Sequence, residues 1–201
     1  MMSTNKRSKT PMKIKDVTFI SVFSVLFFIA FLAIACVTGL TPFTFPFTQA
    51  LGSIPCGIIY MYMRAKQPKR GSILFMGMLV AVIAFVLGIG WCAAVGILVG
   101  SIFSEVISAR GNYRNQTINI VGYVLYITGF WIGQFSFMLF AGASYKAEQI
   151  RHGTSAQYID TMLRFLNSPL IAIPFIATIV GAIVGGIIGL QIFKKHFAKI
   201  V

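Results

Sequence analysis

The fold is decided by residues 17–63, which read VTFISVFSVLFFIAFLAIACVTGLTPFTFPFTQALGSIPCGIIYMYM and contain no charged side chain. An ionised side chain near the centre of a bilayer costs several kcal/mol, so a run of this kind predicts segments that lie within lipid. One helix of this length would be about 70 Å long, more than twice the hydrocarbon thickness of a membrane. Two prolines and a glycine within residues 38–46 favour a turn there. The stretch therefore predicts two helices, 17–37 and 47–63, that cross in opposite directions.

The composition of the whole chain agrees with this interpretation. Of its 201 residues, 57% are hydrophobic and 10% are charged. A water-soluble domain carries roughly a quarter of its residues as charged side chains. A soluble cytosolic enzyme is therefore excluded.

Further uncharged or nearly uncharged runs predict four more helices, over residues 71–88, 91–109, 116–143 and 169–193. The break between the third and fourth helices is expected at Gly88–Trp91, where two glycines interrupt the apolar pattern. The sequence predicts an all-α membrane protein with six transmembrane helices in one domain, 17–193. A basic segment, 1–16, precedes this domain and a basic tail, 194–201, follows it.

The distribution of charge predicts the orientation of these helices. The chain has 17 Lys and Arg against 4 Asp and Glu, for a net charge of +13. With both termini in the cytoplasm, the basic residues outside are Lys146, Arg151 and Arg164, and all the others lie inside. Cytoplasmic loops carry this excess in membrane proteins. The charge therefore indicates topology, and nucleic acid is not expected as a partner.

Few residues in the predicted spans have the chemistry of an enzyme. Cys36, Cys56 and Cys92 have no metal-ligand spacing, and Glu105 is the only acidic residue in a span, where we expect it to pair with Arg110. The sequence has no nucleotide-binding glycine loop of the Walker type. We therefore predict that the chain is not an enzyme and has no metal or cofactor.

Aromatic and polar residues gather at the predicted outer end. The 38–49 segment, with Phe43, Phe45 and Phe47, and the 144–168 loop, with a short amphipathic helix around Tyr158, Met162 and Phe165, would each suit a cap over a pocket. An interfacial belt is the alternative for the Trp and Tyr residues. The predicted substrate-binding residues are Trp91, Trp131, Gln134, Met138, Tyr145, Tyr158, Arg164 and Asn167.

Small residues repeat at helical spacing on three of the helices. Such stripes let helix backbones approach closely in lipid. The fourth helix has Gly96, Gly100 and Ser104, the fifth has Gly129 and Gly133, and for both we favour packing within the bundle. The sixth has Gly181, Gly185 and Gly189, which predict either internal packing or a face for another membrane subunit.

Two short motifs and the order of the helices carry a resemblance to a known family. Residues 12–16 read MKIKD just before the first helix, and residues 68–71 read PKRG before the third. With six helices in about 200 residues, the chain resembles the substrate-binding (S) components of energy-coupling factor (ECF) transporters, in particular the Trep_Strep (MptD-like) family. The resemblance implies a subunit of the bacterial cytoplasmic membrane that binds a scarce nutrient outside and associates with a T subunit and two ATPase subunits.

The resemblance also implies a docking face for the T subunit on the first helix. Related proteins carry an Ala-x-x-x-Ala stripe there, and this chain has Ser21, Ser24, Ala30 and Ala33 at a different spacing. Ser21 and Ser24, with the three glycines of the sixth helix, are the predicted partner interface.

The cargo expected from the residues is a small molecule with a flat ring and polar or anionic arms, such as a vitamin or haem. Axial ligands for haem would come from His152, Met138, Met162, Tyr145 or Tyr158. The alternatives are a stand-alone secondary transporter and a structural or regulatory membrane protein. The first predicts ion-driven transport by this chain alone, and the second predicts no saturable ligand.

Overall fold

The computed structural model describes residues 12–197, which form an all-helical bundle without strands. Six long helices are joined by short turns, and two shorter helices lie between the fifth and sixth of them. In chain order the helices are α1 (Ile14–Thr38), α2 (Thr48–Lys66), α3 (Ser72–Val86), α4 (Trp91–Arg110), α5 (Gln116–Phe140), α6 (Gly142–Arg151), α7 (Ala156–Leu166) and α8 (Ala172–Phe197).

The predicted breaks between helices are confirmed. The chain leaves α1 at Gly39 and enters α2 through a 3-10 turn, Phe45–Phe47. Gly88 and Gly90 both have positive φ, which joins α3 to α4 in a very short turn. The fifth helix ends at Phe140 rather than at 143, because the backbone of Ala141 leaves the helical conformation and α6 starts at the next residue.

Four described helical segments have the length and hydropathy of a membrane span, namely Ile14–Thr38, Trp91–Arg110, Gln116–Phe140 and Pro169–Phe193. The α3 helix is apolar but has only 15 residues. The α2 helix includes polar residues such as Gln49 and Arg64, which are fully buried inside the bundle. The structure supports spans for four helices, and the six-span topology stays a prediction.

The order of the contacts along each pair of helices shows their relative direction. The α8 glycines meet α2 in order, with Gly181 at Ala50, Gly185 at Ile54 and Gly189 at Ile58, so α2 and α8 are parallel. The α4 and α5 helices are antiparallel, because Gly96 lies against Gly133 while Gly100 lies against Gly129 and Tyr126. The start of α1 and the end of α8 therefore lie at the same end of the bundle.

The small residues of α4 and α5 pack against each other, as predicted. A β-carbon built on Gly100 would lie 2.7 Å from the carbonyl oxygen of Tyr126, and one on Gly129 would lie 2.7 Å from the Cα of Gly100. The same stripes leave the neighbouring Val95, Val99 and Ile132 exposed on the outside of the pair. The glycines thus hold two helices together while branched apolar residues cover the surface expected to face lipid.

The glycine stripe of α8 also packs inside the bundle, which is one of the two alternatives predicted for it. Gly181, Gly185 and Gly189 are all buried against α2, with backbone atoms of α2 within contact distance. Ser24 is fully buried as well, and its hydroxyl donates to the carbonyl of Ile20 in its own helix. Only Ser21 of that set is partly exposed.

One end of the bundle contains the turns 67–71 and 111–115, and it is called the basic end below. The two motifs that carry the family resemblance meet there. Asp16 accepts a hydrogen bond from the backbone N–H of Lys13 at 2.7 Å and forms an ion pair with Lys69 at 2.5 Å. The first contact caps the start of α1, and the second holds it against the turn before α3. The two motifs are thus one structural unit.

Glu105 does not pair with Arg110, so that prediction is wrong. Its carboxylate accepts hydrogen bonds from the backbone N–H groups of Gly71 at 2.5 Å and Ile73 at 3.2 Å. Arg110 is exposed one turn further along α4. The first N–H groups of a helix lack intrahelical partners, so a carboxylate from α4 caps α3 here.

Arg64 ties together the remaining parts of the basic end. Its guanidinium is fully buried and donates to the Ser72 hydroxyl at 2.5 Å and to the carbonyls of Gln67 and Tyr113 at 3.2 and 3.4 Å. It also lies 5.2 Å from the centre of the Tyr113 ring, within the range of a cation–π contact. These contacts fix the turns 67–71 and 111–115 to each other.

Candidate functional site: an aromatic and amide cluster beneath a helical cap

A second buried cluster lies at the opposite end of the bundle, called the cap end below. We call it the aromatic cluster, and its buried members are Trp131, Phe135 and Met138 of α5 with Met162 and Leu166 of α7. Trp131 has its ring 4.8 Å from that of Phe135 and 5.0 Å from that of Phe175 on α8. Residues three and four apart share one face of a helix, so α5 presents Trp131, Phe135 and Met138 together.

A pair of amides crosses the bundle beside this cluster. Gln49, in the first turn of α2, donates from Nε2 to Oε1 of Gln134 on α5 at 2.5 Å. Gln49 is fully buried and Gln134 is 8% exposed. Oε1 of Gln49 has no hydrogen-bond partner among the described residues. The indole Nε1 of Trp131 has none among them either. Polar atoms are seldom left unpaired in a protein interior, so these two are available to a bound molecule. Five other buried polar atoms of the described residues are also unpaired, and two of them, Nε of Arg64 and Oε1 of Gln67, lie at the basic end.

The helices α6 and α7 cover the aromatic cluster. Ser155 caps α7 by accepting a hydrogen bond from the backbone N–H of Tyr158 at 3.2 Å. Buried Ile159, Met162 and Leu166 form the inner face of α7. The helix is amphipathic as predicted, but of the three residues predicted for its apolar face only Met162 is buried, while Tyr158 and Phe165 are half-buried. An ion pair between Lys146 and Asp160, at 2.6 Å, joins α6 to α7.

The 38–49 segment completes the cover. The hydroxyl of Tyr158 donates to the carbonyl of Gly39 at 2.8 Å and to that of Thr41 at 3.2 Å. Phe43 lies edge-on to Phe165 at 6.5 Å, and Phe45 lies edge-on to Phe135 at 6.0 Å. The two segments expected from the sequence to form caps therefore meet each other over the same cluster, and together they are called the cap below.

The tyrosines of the cap, Tyr145 and Tyr158, are half-buried. Burial raises the pKa of the Tyr145 hydroxyl to about 12, with smaller contributions from Tyr158 and Glu148. Burial also raises the pKa of Tyr158. Both phenols stay neutral at physiological pH, as hydrogen-bond donors and aromatic walls.

The structure brings together five of the eight predicted substrate-binding residues. Trp131, Gln134 and Met138 lie in or beside the aromatic cluster, and the half-buried Tyr145 and Tyr158 pack on it.

The other three lie elsewhere. Arg164 and Asn167 are on the exposed side of α7, and the Asn167 amide donates to the carbonyl of Leu163 in its own helix. Trp91 is 60% exposed at the start of α4. It lines a separate groove of about 430 Å³ between α4 and α5, on the surface expected to face lipid.

Gln49 is the site residue that the sequence analysis missed. It stands close to the predicted start of the second helix, in a run without charges, and an amide in such a position needs a partner just as Gln134 does. The sequence could have singled it out by the same argument. The pairing itself joins residues that are distant in sequence, and only the packing of α2 on α5 reveals it.

The candidate haem ligands are divided between this cluster and the surface. Met138 and Met162 are buried in the cluster, while His152 is exposed just after α6. Among the described residues, no group of three or more His, Cys, Asp or Glu side chains could hold a metal ion.

Residues 14–199 match a family described as hypothetical bacterial integral membrane proteins (Trep_Strep). The chain belongs to the Trep_Strep family. No curated protein and no solved structure matches it. Membership of this family and the apolar helices together make the chain an integral membrane protein. In this Trep_Strep protein, the match includes both the Asp16–Lys69 unit and the aromatic cluster.

Proposed function

We propose that this Trep_Strep protein is the substrate-capture subunit of an ECF-type importer. It binds a scarce micronutrient, a vitamin-like or haem-like small molecule, at the cap end, which faces outward. A T subunit and two ATPase subunits then supply the energy for delivery into the cytoplasm. In this proposal the chain is a binding protein of the bacterial cytoplasmic membrane and not an enzyme.

The observation that carries the proposal is the covered cluster at the cap end. Ligand sites are mostly apolar and aromatic, with a few polar groups that fix orientation. The aromatic cluster has this composition, with Gln49 and Trp131 each offering a hydrogen-bonding atom that the chain leaves unpaired. Its cover consists of α6–α7 and the 38–49 segment, which are held to each other by the two hydrogen bonds of Tyr158. A cover joined by so few polar contacts can open without unfolding the spans.

The charge asymmetry supports the outward direction of this site. The basic end carries exposed cations such as Arg70, Arg110 and Arg114, whereas the cap end has a mixture of both signs. By the positive-inside rule, this asymmetry favours an outward position for the cluster, where a nutrient is met first.

A direct test is binding to the purified chain. The protein has two tryptophans, so Trp91→Phe leaves Trp131 as the reporter within the cluster. We expect a small molecule to co-purify with the protein, and mass spectrometry identifies it. We expect washing to remove this molecule, and adding it back to change the fluorescence emission of Trp131 in a saturable way. A chain with no co-purified molecule and no saturable change would contradict the proposed function and favour a structural or regulatory role.

Assembly is tested separately. We expect co-expression with an ECF T subunit and paired ATPases to give a stable complex that takes up the co-purified molecule with ATP hydrolysis, while the lone chain hydrolyses none. Uptake driven by an ion gradient into vesicles that contain only this chain would instead identify a stand-alone secondary transporter.

A further inference from the structure

The candidate site contains one buried donor and one buried acceptor that no described residue satisfies. The donor is the indole N–H of Trp131, which is 6% exposed, and the acceptor is Oε1 of Gln49, which is fully buried. Unpaired polar atoms of this kind are costly inside a protein. A molecule that brings an acceptor to Trp131 and a donor to Gln49 would satisfy both.

The two atoms belong to residues that are linked through Gln134. Gln49 is bonded to Gln134, and Gln134 lies three residues after Trp131 on α5. Residues at this separation are neighbours on the helix surface. The unpaired donor and the unpaired acceptor thus belong to one connected group of side chains.

The groups packed around Trp131 are flat rings. Phe135 and Phe175 lie at 4.8 and 5.0 Å from Trp131, and Phe45 lies edge-on to Phe135. Aromatic rings favour offset-stacked and edge-to-face neighbours at such distances. A planar ring suits this surrounding better than a flexible chain.

Among the described residues, the charged side chains that are buried are those of Asp16 and Arg64, and both lie at the basic end, away from the aromatic cluster. At the cap end, Lys146 is bonded to Asp160, and Arg151 and Arg164 are exposed on the outside of the cap. A buried charge needs an opposite charge beside it. An ionised group carried into the cluster would have none.

We propose that this site takes an uncharged flat ring that carries both a carbonyl-type acceptor and an N–H donor. The Trp131 indole donates to the acceptor, and Oε1 of Gln49 accepts from the donor. This assignment rests on the proposed function and narrows its substrate class. It narrows the sequence-based expectation of polar or anionic arms to uncharged polar groups, because Arg151 and Arg164 lie on the outer surface of the cap and Lys146 is paired with Asp160.

The test uses the small-molecule fraction of yeast extract, separated by ion exchange into uncharged, anionic and cationic pools. Each pool is equilibrated by dialysis with the purified protein, and retained compounds are identified by mass spectrometry. We expect retention from the uncharged pool. The retained compound is expected to have both an N–H and a carbonyl on a planar ring.

Gln49→Leu removes the acceptor and should weaken retention by about tenfold or more. Gln67→Leu is the matched control, since its buried Oε1 is also unpaired but lies at the basic end. Trp131→Phe, which keeps a ring and loses the donor, gives a second measurement should Gln49→Leu fail to fold. Both site variants are expected to lose retention while the control keeps it.

Haem, which carries two carboxylates, serves as a charged probe. We expect no saturable change in its visible absorption band. Haem binding, retention from the anionic or cationic pool, or undiminished retention by the site variants would overturn the inference and leave the proposed function standing. Retention from no pool, together with the absence of any co-purified molecule, would overturn the proposed function as well.

Discussion

Single glycines set the distance between the helices of this protein. At Gly185 of α8, a β-carbon would lie 2.9 Å from both Cα and the carbonyl oxygen of Ile54 on α2. Those are backbone atoms, which cannot turn aside as a side chain can. At Gly186, the next residue, a β-carbon would meet side-chain atoms of Ile120 at 3.1 and 3.2 Å.

We therefore expect Gly185→Ala to destabilise the protein by about 1–3 kcal/mol, because α8 must move away from α2. Gly186→Ala is the matched control, since it gains the same helix propensity and meets a side chain that can adjust. Thermal unfolding in detergent measures both. Equal midpoints for the two variants would show that α8 does not rely on this close contact.

At the scale of an element, the cap differs from the spans. The α6 and α7 helices have 10 and 11 residues, too short to cross a bilayer. Isolated helices of this length are marginal in water, so their stability comes from packing on the aromatic cluster and from contacts such as the Lys146–Asp160 pair. Opening the cap is therefore less costly than separating two spans.

The raised pKa of Tyr145 gives the cap a dependence on alkaline pH. Its neutral form is favoured in the folded protein, so its contribution is fully present below the ordinary pKa of 10 and is lost as the pH rises through about 12. We expect the midpoint of thermal unfolding to fall over this range, and to fall less in Tyr145→Phe, by an amount equivalent to about 2–3 kcal/mol at most.

The difference in unfolding midpoint between Tyr145→Phe and the parent protein near neutral pH is the control for this prediction. Near neutral pH the phenol is uncharged, so the difference between Tyr145→Phe and the parent protein should be constant there. A difference that stays constant through pH 12 would mean that Tyr145 is not buried in the folded state.

At the scale of the whole molecule, the bundle has two unlike ends. The basic end joins α1, the 67–71 turn and the 111–115 turn through Asp16, Glu105 and Arg64, while the cap end covers an uncharged cluster. A binding protein that opens on only one side of the membrane needs rigid contacts at one end and a separable cover at the other. The two ends of this bundle fit that description.

The direction of insertion is tested by labelling. In a variant whose three cysteines are replaced by serine, Gln157→Cys places an exposed thiol on α7 and Arg114→Cys places one at the basic end. We expect a membrane-impermeant maleimide to label Gln157→Cys in intact cells and Arg114→Cys only after permeabilisation. Labelling in the reverse order would place the cap in the cytoplasm and remove the basis of the proposed function.

The sequence by itself determined the helices and their breaks. Uncharged runs, the turn around Pro42 and Pro46 and the Gly88–Gly90 turn act locally, through the cost of charge in lipid and the backbone freedom of glycine, so they can be identified without the fold. The amphipathic α7 could be predicted for the same reason. So could the mutual packing of the α4 and α5 stripes, because small residues at that spacing suit close helix contacts.

Only the tertiary structure decided which residues share a site. It shows that Gln49 pairs with Gln134 and that Glu105 caps the start of α3. It also shows that the α8 glycines are buried against α2 and that Arg164 lies on the outer surface of the cap. Each of these depends on which face of a helix meets which neighbour. In an apolar bundle within lipid, the helix faces that contact neighbouring helices and those that contact lipid have nearly the same hydropathy. The sequence therefore contains little information about which face meets which neighbour.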